Sequence, residues 1–124
     1  MITAAITARE GGFTLKLDGH AGAGIPGYDP VCAAVSALAF AEAALAGDMY
    51  ARGALHGGYR ADMRKGSAHI TLTARREQAA LVDGACALTA RFLGLLAENF
   101  PENIRFTATD LRATASGGRE EIYR

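Results

Sequence analysis

A histidine, an aspartate and a cysteine fall within one short stretch of the chain: His20, Asp29 and Cys32, with Ser36 one helical turn beyond the cysteine. Cysteine and histidine together make a nucleophile and its base. The thiolate is the attacking form of cysteine, and an imidazole within hydrogen-bond reach takes the thiol proton and later returns it to a leaving group. The spacing places Cys32 in the first turn of a helix, where N–H groups lack intrahelical partners and the helix dipole favours an anion. His20 stands at the end of a strand, across a glycine-rich loop that can fold back over the helix. Asp29, between them, either orients His20 or caps the helix; one carboxylate oxygen cannot do both. Ser36 shares the helix face of Cys32. Each residue also has a plainer role: a cysteine in an alanine-rich helix is a small core residue, and a histidine beside glycine is an ordinary loop residue.

The elements that must hold these residues are legible in the apolar periodicity. Residues 2–8 alternate, with Ile2, Ala4, Ile6 and Ala8 on one side; Arg9-Glu10-Gly11-Gly12 is a turn, and Phe13, Leu15 and Leu17 alternate again, as a hairpin with one wet face does. Residues 19–28, with four glycines and Pro26, form a mobile loop. Asp29-Pro30 is a helix start: Asp at the N-cap, Pro where no N–H is needed. Val31, Val35, Leu38, Leu45 and Met49 follow at helical spacing, beside a stripe of Ala33, Ala37, Ala41 and Ala44, and the helix ends near Gly47 or Gly53. A second hairpin runs from Leu55 to Met63 and from Ala68 to Ala74, with His56 and His69 on its polar side, facing each other. A long helix from Glu77 to Phe100 carries two apolar stripes: Leu81, Ala85, Leu88, Phe92 and Leu95, and Val82, Cys86, Leu93, Leu96 and Phe100. So broad an apolar face calls for a sheet on one side and a partner subunit on another. Ile104, Phe106 and Ala108 make a last strand. The expected fold is α+β, a two-layer sandwich of a mainly antiparallel sheet and two helices in the order ββαββαβ. It forms one domain over 1–112, followed by a polar C-terminal tail over 113–124.

Composition bounds the function. The 124 residues hold 13 Lys and Arg against 13 Asp and Glu, so the net charge is zero. That argues against a broad electrostatic grip on nucleic acid or an anionic membrane, and leaves room for a local basic patch. Two cysteines are too few for a disulfide-stapled secreted domain. The N-terminus lacks the basic start and apolar run of a signal peptide, and no charge-free stretch reaches the length of a membrane span. Cys86, inside an apolar stripe, is read as core. No Cys-x-x-Cys or His-x-x-x-His spacing is present, so no metal or cofactor is expected. Gly22, Gly24 and Gly27 spell the Gly-x-Gly-x-x-Gly of dinucleotide-binding folds. The strand before them alternates polar and apolar, however, and the helix starts too late for the third glycine to lie inside it.

Over Gly19-His20-Ala21-Gly22, Gly27, Asp29 and Val31-Cys32-Ala33-Ala34-Val35-Ser36-Ala37-Leu38, the sequence resembles the ribosomal-processing cysteine protease family, Prp. The resemblance implies a cytoplasmic, homodimeric α+β enzyme. Its substrate would be the N-terminal extension of the twenty-seventh large-subunit ribosomal protein, cut after a phenylalanine during ribosome assembly. No direct nucleic-acid or membrane partner is implied. By the same resemblance Cys32 is the nucleophile, His20 the base and Asp29 a supporting acid, with Gly19, Ala21, Gly22, Gly27 and Ser36 at the substrate. Backbone N–H groups at the helix start would stabilise the oxyanion. Two features depart from the family pattern. Pro30 replaces an aliphatic residue and removes one backbone donor, and the loop interior, Ala23-Gly24-Ile25-Pro26, is poor in polar and aromatic side chains. A non-enzymatic ribosomal-protein-binding assembly factor and a thiol enzyme of another kind are the competing readings.

Overall fold

The computed structural model describes residues 1–22, 24, 29–114 and 119–123. Strands β1 (Ile2–Arg9) and β2 (Gly12–Gly19) form the expected hairpin, with Ala4 opposite Leu17 and Ile6 opposite Leu15. Helix α1 (Pro30–Ala51) follows, then the hairpin of β3 (Arg60–Arg64) and β4 (Ser67–Thr73). A single 3-10 turn (Arg76–Gln78) leads into α2 (Ala79–Asn99), and β5 (Ile104–Asp110) closes the core. A short helix, α3 (Leu111–Thr114), and a further strand, β6 (Arg119–Tyr123), extend the sheet into the segment beyond residue 112. The sheet order is β3-β4-β2-β1-β5-β6. Every pairing is antiparallel except β1 with β5. The α+β class and the ββαββαβ order are as the periodicity indicates. Because β2 is antiparallel to both its neighbours, the glycines after it do not open a parallel dinucleotide-binding unit.

One face of the sheet is dry. Its cross-strand rows run Met63, Ala68, Leu17, Ala4 and Phe106 in one, where large and small side chains alternate, and Ala61, Ile70, Leu15, Ile6 and Ala108 in the next, where two alanines flank three large side chains. α2 covers β1, β2 and β5 with Val82, Cys86, Leu93 and Ala97, and α1 covers β3 and β4 with Val31, Val35, Ala39, Ala46 and Met49. By length and composition alone, both helices would suffice to cross a membrane; in this fold each lays one face on the sheet. The alanine stripe Ala33, Ala37, Ala41 and Ala44 faces outward. So does the Leu81, Leu88, Leu95 stripe of α2, with Leu88 72% exposed.

The second hairpin is shorter than the alternation suggests. Gly57, at φ +79°, and Gly58 interrupt the run, so Leu55 makes only an isolated bridge to Ala74. His56 therefore lies outside the hairpin, its N–H donating to the Thr73 carbonyl (2.8 Å), and His69 stands opposite Asp62 rather than His56.

A buried polar pair breaks the apolar pattern. Glu42 of α1 is 6% exposed and is hydrogen-bonded to the hydroxyl of the likewise buried Thr89 of α2, while its Oε2 has no partner among the described residues. Burial pushes the carboxyl above its ordinary value, more than the Thr89 hydrogen bond lowers it. Above the ordinary value of 4.5 the unfolded chain sheds this proton while the folded chain keeps it. The ionisation penalty of Glu42 is thus absent at lower pH and grows as pH rises, until the folded carboxyl ionises as well. Glu42→Gln should therefore gain stability over the wild type as pH is raised from 4.5, by no more than about 1.4 kcal/mol per pH unit, with no gain at pH 4. Urea melts across pH check this; a difference independent of pH would contradict it.

Candidate active site

The site is assembled where β2 leaves the sheet and α1 begins. Gly19 is the last residue of β2 and has φ +100°, a conformation side chains rarely adopt; a Cβ there would lie 2.3 Å from the Met1 carbonyl oxygen. Its N–H donates to the Gly66 carbonyl in the β3–β4 turn (2.8 Å). The chain thus turns off the sheet at a fixed point, and the His20 ring comes to rest on that turn. A Cβ added at Gly66 (φ +76°) would lie 3.0 Å from His20 Nε2. Gly19, read as a substrate contact, is a cleft-wall residue that also sets the backbone direction.

α1 starts as the Asp-Pro pair requires. Asp29 is extended (φ −90°, ψ 110°), and its Oδ1 accepts the N–H groups of Val31 (2.9 Å) and Cys32 (3.0 Å). Its backbone oxygen takes the Ala33 N–H (3.0 Å), and Pro30 has none to give. The first-turn donors expected to cradle an oxyanion are therefore turned toward Asp29. Asp29 thus caps α1.

The donor that does meet the sulfur comes from the other side. The Ala21 N–H points at Cys32 Sγ (3.2 Å). Ala21 is itself buried, and its carbonyl accepts a hydrogen bond from Asn103 Nδ2 (2.9 Å). Asn103 sits between α2 and β5, far along the chain, and no local pattern marks it as part of the site.

A cleft of about 480 Å³ opens between α1 and the β3–β4 hairpin. Gly19, His20, Cys32 and Ser36 all line it, so the sequence-predicted histidine, cysteine and serine share one space. His20 and Cys32 are not hydrogen-bonded to each other in this structure, and the imidazole lies against Gly66. Ala21 meets the sulfur through its N–H and is not among the residues lining the cleft, Gly22 has φ +68°, and Gly27, with Ala23, Ile25, Pro26 and Tyr28, lies outside the described residues. Sequence reasoning missed Phe40, Met63, Arg64 and Lys65, which also line the cleft. Phe40 is 66% exposed, and an apolar side chain so placed would otherwise pass as surface. The arrangement presents a half-buried thiol, an imidazole and an amide donor beside a groove with an apolar floor and two cations at one end. That suits nucleophilic attack on a carbonyl of an extended, apolar chain. The second thiol is different: Cys86 is buried under α2, and desolvation pushes it up to about 11.

The family model described as Cysteine protease Prp matches residues 1–105. Among solved structures, the chain is similar to an essential ribosomal processing protease Prp from S. aureus in complex with a covalently linked product peptide. The identity is 29%, with 87% of this chain and 99% of that one covered, and the TM-score is 0.59. A protein named SMU.848 from Streptococcus mutans matches at 25% identity over 89% of this chain and 95% of its own, with TM-score 0.60. The S. aureus protease with a substrate peptide shares the fold at 24% identity and TM-score 0.60, over 87% of this chain and 99% of that one. No match was found among curated proteins.

The contrast between the two thiols predicts a labelling pattern. Iodoacetamide at pH 7 should alkylate Cys32 and leave Cys86 intact until the protein is unfolded, as peptide mass spectrometry would show; early labelling of Cys86 would contradict its buried placement.

Proposed function

Since the chain belongs to the Prp family of cysteine proteases, matched over residues 1–105, we propose that Cys32 is its nucleophile and His20 its general base and acid. Its substrate in this reading is the N-terminal extension of the twenty-seventh large-subunit ribosomal protein. The observation that carries this is the cleft shared by Cys32 and His20, with Cys32 at the head of α1. A covalently linked product peptide, as in the S. aureus protease, needs a nucleophile beside the groove. Of the two cysteines here, Cys32 borders it and Cys86 is buried beneath α2.

In this mechanism His20 swings from Gly66 and takes the Cys32 proton. Sγ attacks the scissile carbonyl, and the carbonyl π pair moves to oxygen. The C–N bond breaks as the imidazolium protonates the leaving amine; His20 then draws a proton from water as its oxygen bonds to the acyl carbon, the C–S bond breaks, and the imidazolium returns the proton to Sγ, which releases the acid and restores the thiol. Asp29 acts through α1: it caps the turn that carries Cys32. Leu17, Val35, Ala39, Phe40 and Met63 offer the groove an apolar lining, which suits an extended peptide cut beside a phenylalanine. The enzyme in this reading is a cytoplasmic homodimer. The outward Leu81, Leu88 and Leu95, seven residues apart on α2, supply an apolar stripe for a second copy to cover.

Incubation of the wild type with the extended ribosomal protein should release the extension, read by mass spectrometry. Cys32→Ala and His20→Ala should each slow the reaction at least about a thousand-fold. Asp29→Asn keeps a capping oxygen and should keep most of the activity, whereas Asp29→Ala should lose about 1 kcal/mol of stability. Binding without cleavage, or cleavage by folded Cys32→Ala, would overturn the reading. Leu88→Glu should shift a dimer to monomer in light scattering at micromolar concentration; a wild type that is already monomeric would refute the dimer.

A further inference from the structure

We infer that Asn103 is a positioning residue of the active site, holding Ala21 so that its backbone N–H donates to the sulfur of Cys32 and supports the charge it carries as it attacks. The inference rests on Cys32 being the nucleophile. It begins with the fate of the helix-start amides. Val31 and Cys32 give theirs to Asp29 Oδ1, Ala33 gives its own to the Asp29 carbonyl, and Pro30 has none. The hydrogen bond that the structure shows to the sulfur is the one from Ala21, at 3.2 Å.

An N–H aimed at Sγ before the reaction supports the negative charge on the sulfur and costs no reorganisation when the sulfur attacks.

Ala21 precedes Gly22, whose φ is +68°, and a glycine at that position leaves the direction of the neighbouring amide to be set by other contacts. Two anchors flank the Ala21 N–H. Upstream, Gly19 is tied to Gly66 (2.8 Å). Downstream, Asn103 Nδ2 donates to the Ala21 carbonyl (2.9 Å). Asn103 is itself held through its backbone, its carbonyl accepting the Ile2 N–H (2.9 Å) and its N–H donating to Phe100 (2.9 Å). Its side chain is therefore offered from a backbone pinned to β1 and to the end of α2. Substituting that side chain leaves those backbone bonds in place.

The test uses the full chain carrying Cys86→Ala, so that Cys32 is the sole thiol. Asn103→Asp keeps size and removes the amide donor, Asn103→Ala removes the side chain, and circular dichroism confirms the fold. In a third protein the Ala21 N–H itself is removed by placing lactic acid at that position. A synthetic 1–31 segment joined at Cys32 by native ligation makes this possible, and it does not depend on how Asn103 variants fold. Each should lower the rate of iodoacetamide alkylation of Cys32 about tenfold, the scale of one hydrogen bond to a charged group, and should lower kcat by a similar factor with KM for the extended substrate little altered. A purely structural role would lower thermal stability without slowing alkylation of the folded protein or splitting kcat from KM. Folded Asn103 variants, or an ester protein, that alkylate and turn over as the parent does would overturn the inference. Alkylation needs no peptide, so a protein that failed to cleave the ribosomal extension would refute the proposed substrate and still leave this inference to be decided.

Discussion

The candidate active site hangs on the bond from the Gly19 N–H to the Gly66 carbonyl, where the last residue of β2 is tied to the turn between β3 and β4. Gly19 takes up φ +100° at this point, and Met1 crowds the place where a side chain would be. The chain must leave the sheet there and in that direction. His20 consequently falls on the Gly66 turn, and Ala21 falls behind Cys32. The sheet underneath makes the tie possible: the antiparallel register that sets Leu17 against Ala68 also sets the end of β2 beside the start of β4.

Around that tie the fold divides the labour between two sets of backbone donors. The Asp29 cap spends the helix-start amides on holding α1, which fixes the position of Cys32 but leaves its sulfur to be served from elsewhere. The loop side serves it, through Ala21 and ultimately Asn103. A helix cap and a sulfur donor both need N–H groups pointing the same way, and one helix end has too few of them when its first residue is proline.

Much of this was legible in the residues. Asp29-Pro30 marked the start of α1 to the residue, because capping is local chemistry. The alternation from Ile2 to Leu17 marked the first hairpin, because a sheet with one wet face imposes a period of two. The second hairpin was overextended because alternation continues through Leu55 and Tyr59, whereas Gly57 breaks the pairing. The inward face of α1 was not readable in the same way. The helix is apolar nearly all round, so its periodicity has little direction, and the buried stripe passes through Glu42 while the alanines Ala33, Ala37, Ala41 and Ala44 face out.

By itself, then, the sequence determined the class of chemistry, the head of the helix that carries Cys32, and the difference in setting between Cys32 and Cys86. These depend on residue type, capping and apolar periodicity, all of which act over a few neighbours. Only the tertiary structure decided which amide meets the sulfur, where His20 rests, and which residues wall the cleft. Asn103 reaches Ala21, and Gly66 underlies His20, across sheet pairings and a crossover that bring distant parts of the chain together. Contacts of that kind are set by how strands register and helices settle, and no local pattern in the chain encodes them.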